Sequence, residues 1–131
     1  MNVLIVDDEA LIRRSLARAF EARGHEVRCG CDGHEGLAIW HEGHFDIAIV
    51  DILMPGLTGP QLLQKISPSS NTCIILMSAY TADYDVKKAQ ALGADLFLAK
   101  PFQNIFEIVE QVENLVKNRR EKGENTKGGH K

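Results

Sequence analysis

Four apolar runs of four or five residues, at 3–6, 47–50, 73–77 and 96–99, constrain the fold of this chain more than any other feature. None of them alternates apolar with polar positions, so each asks to be covered on both faces, as the strands of a buried parallel sheet are. The segments between them have helical period. Leu11, Ile12, Leu16, Ala19 and Phe20 predict one apolar stripe ended by Gly24. Asp32 and Glu35 have capping-box spacing ahead of Leu37 and Trp40, with Gly33 and Gly36 weakening that helix. Pro60 suits the first turn of a short helix bearing Leu62, Leu63 and Ile66. Val86, Ala89 and Leu92 mark a fourth helix closed by Gly93. Ile105, Ile108, Val109, Val112, Leu115 and Val116 give the fifth, with Asn104 and Glu107 as a capping pair. Residues 25–30 alternate and predict a more exposed edge strand. Strand then helix, five times over, predicts an α/β fold with a five-stranded parallel sheet, right-handed crossovers and helices on both faces. Residues 1–118 are expected to form this one domain.

A chain of 131 residues can bury such a core without metal or disulfide staples. No apolar run approaches the roughly 20 residues of a membrane-spanning helix. The first residues lack the pattern of a signal peptide, so no membrane association and a cytoplasmic location are expected. Net charge is −3, unevenly spread: residues 117–131 carry six basic and two acidic side chains, which leaves the body strongly acidic. An acidic body repels nucleic acid, and none is expected to bind it. Residues 119–131 read as a basic disordered tail or linker stub. Cys29, Cys31 and Cys73 are too few for a disulfide framework and lack companions for a zinc site. The five His residues show no ligand spacing and read as surface groups.

Polar residues close each buried run at its C-terminal edge: Asp7 and Asp8, Asp51, Ser78 and Lys100. Ligands of open parallel α/β sheets bind outside those strand ends, so residues distant in sequence converge there. Two carboxylates about 4 Å apart repel by roughly 4 kcal/mol at an effective dielectric near 20. Lys100 offsets part of that charge, and a hard divalent cation, magnesium or manganese, would offset the rest. A metal and a lysine beside a carboxylate suit phosphoryl transfer, with one carboxylate as the nucleophile. Taken singly, an Asp after a strand is a helix cap and a strand-end Lys is solvated. The joint pattern is what carries the reading.

Val-Asp-Asp-Glu at 6–9, Asp-Ile-Leu-Met-Pro-Gly-Leu-Thr-Gly at 51–59, Met-Ser-Ala at 77–79 and Lys-Pro-Phe at 100–102 together resemble the receiver domains of two-component response regulators, the CheY-like family. The resemblance covers residues 2–118. It implies a flavodoxin-like sheet of order 2-1-3-4-5, doubly wound with five helices. It implies that Asp51 accepts a phosphoryl group from a phosphohistidine on a sensor histidine kinase or phosphotransfer protein. Asp8, Asp51 and the backbone carbonyl of Leu53 would ligate magnesium, and Asp7 would act through a metal-bound water. Lys100 would pair with a phosphoryl oxygen, with a cis bond to Pro101. Ser78 and Phe97 would switch position, changing the face formed by the fourth helix, fifth strand and fifth helix. An output domain or partner protein would then engage residues 81–116, and a phosphorylation-dependent homodimer is one form this takes. Such a domain is no enzyme beyond promoting its own phosphoryl transfer and dephosphorylation.

Three departures from the family pattern stand out. Phe97 replaces the frequent Tyr, Gln103 stands where an Asp often follows Lys-Pro-Phe, and Leu53 and Tyr80 are bulky beside the path of the attacking water. Leu53 and Tyr80 are expected to slow hydrolysis, although Tyr80 equally suits an interface aromatic. Trp40 reads as a helix-face packing residue, and Gly59 as a turn. Competing readings are a haloacid-dehalogenase-type phosphatase, which would need an Asp two residues after its nucleophile, and a receiver-like module that is never phosphorylated. A nucleotide-binding Rossmann domain lacks its G-x-G-x-x-G.

Overall fold

The computed structural model describes residues 1–66, 71–79 and 86–129. Strands β1 (Asn2–Val6), β2 (Glu26–Gly30), β3 (Ile47–Asp51), β4 (Cys73–Ser78) and β5 (Leu96–Ala99) alternate with helices α1 (Ala10–Ala22), α2 (Gly33–Glu42), α3 (Gly59–Lys65), α4 (Val86–Ala91) and α5 (Ile105–Gly129). All strand pairs are parallel, in the order β2-β1-β3-β4-β5. The expected sheet, order and helix number are therefore found.

Strand residues divide strictly between two cores, because successive side chains point to opposite faces of a sheet. Val3, Ile5, Ile47, Ile49, Ile75 and Met77 join Leu16 and Phe20 of α1 and Ile108 and Val112 of α5. Leu4, Val6, Ala48, Val50, Ile74 and Leu76 join Ile39 of α2, Leu62 of α3 and Ala89 of α4. Both faces are covered, which is why the runs show no polar alternation. The exception is β2, where exposure alternates along the strand as expected of an edge. No helix among the described residues is long and apolar enough to cross a membrane.

Several local expectations are corrected. Leu11 is 76% exposed, whereas its neighbour Ile12 in the same turn of α1 packs against the core, so Leu11 lies at the solvent side of the expected stripe. Gly36 lets α2 approach β1, since a side chain there would collide with Val6. Gly59 is no turn residue. It opens α3 against the end of β3, where a side chain would strike the Asp51 carbonyl, and the turn with φ +76° is at Gly56. The start of α3 is secured by a reciprocal capping box between Thr58 and Gln61. Asp32 does cap α2 by accepting from Glu35 N, but Glu35 reaches back to Cys31 N. Trp40 packs on Phe45 with ring centroids 6.1 Å apart.

The last helix is tied back to the sheet by its basic residues. Helix α5 is described through Gly129, past residue 118. Arg119 reaches back to the carbonyl of Thr72 and the carboxylate of Asp95, each at 3.0 Å, and Arg120 pairs with Asp46 at 3.0 Å. Asp46 and Asp95 in turn accept from the backbone N–H groups of Asn2 and Ile74, which fixes α5 to the N-terminal ends of the strands. His25 is likewise no surface group: its side chain is 10% exposed, lying between the N-terminal amine at 3.0 Å and Glu113 at 2.7 Å.

Candidate functional site

Residues 7, 8, 51, 78 and 100 follow or end β1, β3, β4 and β5, and the parallel register brings those ends together. Asp51 is level with Met77, and Ser78 with Ala99. Backbone bonds from Ile52 N to the Met77 carbonyl and from Lys100 N to the Ser78 carbonyl, both 2.9 Å, carry the ladder to its edge. Carboxylate oxygens of Asp7, Asp8 and Asp51 all lie within 4.8 Å of one another. Asp7 and Ser78 are fully buried, Asp51 is 4% exposed, and Asp8 faces solvent.

The Lys100 side chain is 4% exposed and lies among three carboxylates. Its Nζ is 2.8 Å from Asp7 Oδ2, 3.2 Å from Asp51 Oδ2 and 3.2 Å from Glu9 Oε1. Burial alone would lower the ammonium pKa, but its contacts with Asp7 and the charge of Asp51 outweigh burial and raise it. The lysine is thus held fully charged. Asp51 behaves oppositely: burial pushes its carboxyl up, Lys100 only partly reverses this, and Asp7 and Asp8 add to it, giving a pKa of about 6. One cation is too few for the acids gathered there.

Asp7 is positioned by its backbone as well as its side chain. Its Oδ1 accepts from Glu9 N at 2.8 Å, and its carbonyl accepts from Arg13 Nη1 at 2.7 Å. Its Oδ2 receives no aligned hydrogen bond among the described residues and meets Lys100 as an ion pair only. A fully buried oxygen with spare acceptor capacity, beside two further carboxylates, suits a hard divalent cation, which takes oxygen ligands and keeps several waters. The donor set contains no nitrogen or sulfur, so it does not resemble a zinc site.

Among the other expected site residues, Leu53 is 53% exposed on the loop after Asp51, and Phe97 is half-buried on β5 against the α2–α4 side of the sheet. The Lys100–Pro101 bond is cis. Tyr80 lies outside the described residues, as do 81–85 of the expected partner face. Sequence reasoning missed Glu9 and Arg13. Glu9 was visible as the fourth residue of Val-Asp-Asp-Glu, but nothing in its spacing marks contact with a lysine 91 positions away.

The family profile described as Response regulator receiver domain matches residues 3–113. The chain is 40% identical over 101 residues to a probable transcriptional regulator, ycf27, of Guillardia theta, covering 77% of this chain and 40% of that protein. It spans less than half the length of the curated relatives it matches. Its fold is similar to that of the Francisella response regulator 1452 receiver domain, with TM-score 0.80 and 30% identity over 89% of this chain and 97% of that one. It is also similar to TrrA of Thermotoga maritima, a response regulator solved with Mg(2+)-BeF, with TM-score 0.74 and 33% identity over 87% of this chain and 97% of that one.

Proposed function

Because the chain belongs to the response-regulator receiver family, we propose that it is a phosphorylation-dependent switch in two-component signalling whose phosphoacceptor is Asp51. The observation that carries this reading is the convergence of Asp7, Asp8 and Asp51 within 4.8 Å, with Lys100 donating to Asp51 at 3.2 Å. A carboxylate oxygen of Asp51 attacks the phosphorus of a phosphohistidine on a sensor histidine kinase or phosphotransfer protein. The P–N bond breaks, and the departing imidazole keeps the electron pair and takes a proton from solvent. Hydrolysis of the resulting acyl phosphate returns the carboxylate. The domain promotes only these two reactions on itself, which sets it apart from an enzyme.

Asp8, Asp51 and the Leu53 carbonyl would hold magnesium, or manganese in its place, and Asp7 would act through a bound water. When bound, the cation supplies the positive charge that offsets the acids and the transferring phosphoryl oxygens. Lys100 pairs with a phosphoryl oxygen. Ser78, at the end of β4, donates its hydroxyl to another, and Phe97 on β5 follows it inward. Added charge and acceptor oxygens thereby bias a two-position loop, and the face built from residues 81–116 changes for an output domain, a partner protein or a second copy. The acidic body leaves nucleic acid to other parts of a system, and the reading places the domain in the cytoplasm.

The test is incubation with acetyl phosphate and magnesium followed by intact mass measurement. One phosphoryl group is expected on the wild type and none on Asp51→Asn. Equal phosphorylation of both, or turnover of generic phosphate esters without a stable adduct, would overturn the assignment.

A further inference from the structure

Glu9 occupies an unusual position. It is the N-cap of α1, yet Glu is a poor capping residue, and its side chain makes no capping bond. Instead it crosses the mouth of the pocket and accepts from Lys100 Nζ at 3.2 Å, while its own N–H holds Asp7 Oδ1. A Ser, Thr or Asp there would have closed the helix start and been too short to reach the lysine. The three carboxylates around Lys100 also differ in freedom. Asp7 is fully buried and Asp51 nearly so, whereas the Glu9 side chain is 57% exposed.

An ammonium has three protons to donate, and a phosphoryl oxygen arriving on Asp51 needs one of them. Asp7 cannot withdraw to water. Glu9 can, at small cost, because it is solvated already. It is therefore the partner that Lys100 must release, and until then it puts a negative charge beside the approaching anionic donor. We propose that Glu9 is a positioning residue that competes with the phosphoryl group for Lys100 and thereby slows phosphorylation of Asp51. The inference rests on the phosphoacceptor reading above and extends it to a residue outside the expected site.

The experiment compares wild type, Glu9→Gln and, as a control, Glu21→Gln, whose exposed acid lies near the end of α1 and makes no described contact with Lys100. With acetyl phosphate, an Asp51 oxygen forms the new P–O bond as the bond to acetate breaks, and acetate leaves with the electron pair. Glu9→Gln is expected to react about two- to fivefold faster, the size of one exposed charge contact. It should bind beryllofluoride with magnesium tighter by a similar factor, and both gaps should shrink at about 0.5 M salt, where exposed charges are screened. Without magnesium or donor, the nitrogen-15 resonance of the Lys100 ammonium should shift in Glu9→Gln and stay in place in Glu21→Gln. If wild type is phosphorylated and Glu9→Gln matches it in rate, affinity and resonance, the inference fails and the phosphoacceptor reading stands. Equal effects in Glu21→Gln would also overturn it, by making the effect one of net charge. A wild type that takes up no phosphoryl group overturns the reading and the inference together.

Discussion

Replacing Asp51 by Asn should stabilise the metal-free protein at neutral pH, although it deletes a partner of Lys100. Asp51 sits 4% exposed, with a carboxyl pKa pushed from 3.8 to about 6 by burial, against the pull of Lys100. A folded-state pKa above the unfolded one means the fold favours the protonated form. Its contribution is fully present below about pH 4 and is lost as pH rises through 6. At pH 7 the ionised group therefore costs the fold about 3 kcal/mol relative to its neutral form. Asn is neutral at every pH and of similar shape, and Lys100 keeps Asp7 at 2.8 Å and Glu9 at 3.2 Å. Urea unfolding of both proteins from pH 4 to pH 8 in chelator should give curves that nearly meet in acid and separate to about 3 kcal/mol at pH 7, with the variant more stable. Magnesium should then narrow the gap, since ligand at about 100 times its Kd adds about 2.7 kcal/mol to a protein that binds it. A wild type as stable as the variant at pH 7, or a gap that does not change with pH, would refute the electrostatic account of the site.

Three further outcomes are expected. Arg119→Ala removes the cation that holds the Asp95 carboxylate and the Thr72 carbonyl, so stability should fall by about 1–2 kcal/mol in urea unfolding, with faster amide exchange along the last turns of α5. Gly59→Ala forces a side chain against the Asp51 carbonyl and should cost about 1–3 kcal/mol, and because that backbone carries the acceptor, acetyl phosphate labelling should slow as well. Leu53→Ala opens the exposed side of the loop after Asp51 and should shorten the lifetime of the phosphorylated form, measured by loss of the mass adduct after donor removal.

The sheet was legible because burial on both faces leaves a direct trace, as in residues 47–50, where every position is apolar. The convergence of Asp7, Asp51, Ser78 and Lys100 was legible for a related reason: parallel strands end on the same side, so a polar residue after each run finds the others without further information. What depends on reach was hidden. Arg119 and Arg120 look like part of a solvated basic stretch, since the anions that hold them, Asp95 and Asp46, lie 24 and 74 residues away at the starts of strands. The same is true of His25, whose partner Glu113 is 88 positions on. Leu11 shows the limit of periodicity, which marks an apolar stripe but not how much of its width the sheet covers: Ile12 packs on the core while Leu11 beside it stays exposed. Gly59 shows another, because a close approach and a turn both call for Gly and only coordinates separate them.

Helix α5 has 25 residues and so measures about 37 Å, roughly twice the length of any strand it crosses. It is pinned like a spoke near Arg119, with about 15 Å of its length running past that pin. A tilt of about 10° at the hub would carry the tip sideways by roughly 2–3 Å, so a small repacking beneath the apolar face of α5 is magnified with distance along the helix axis.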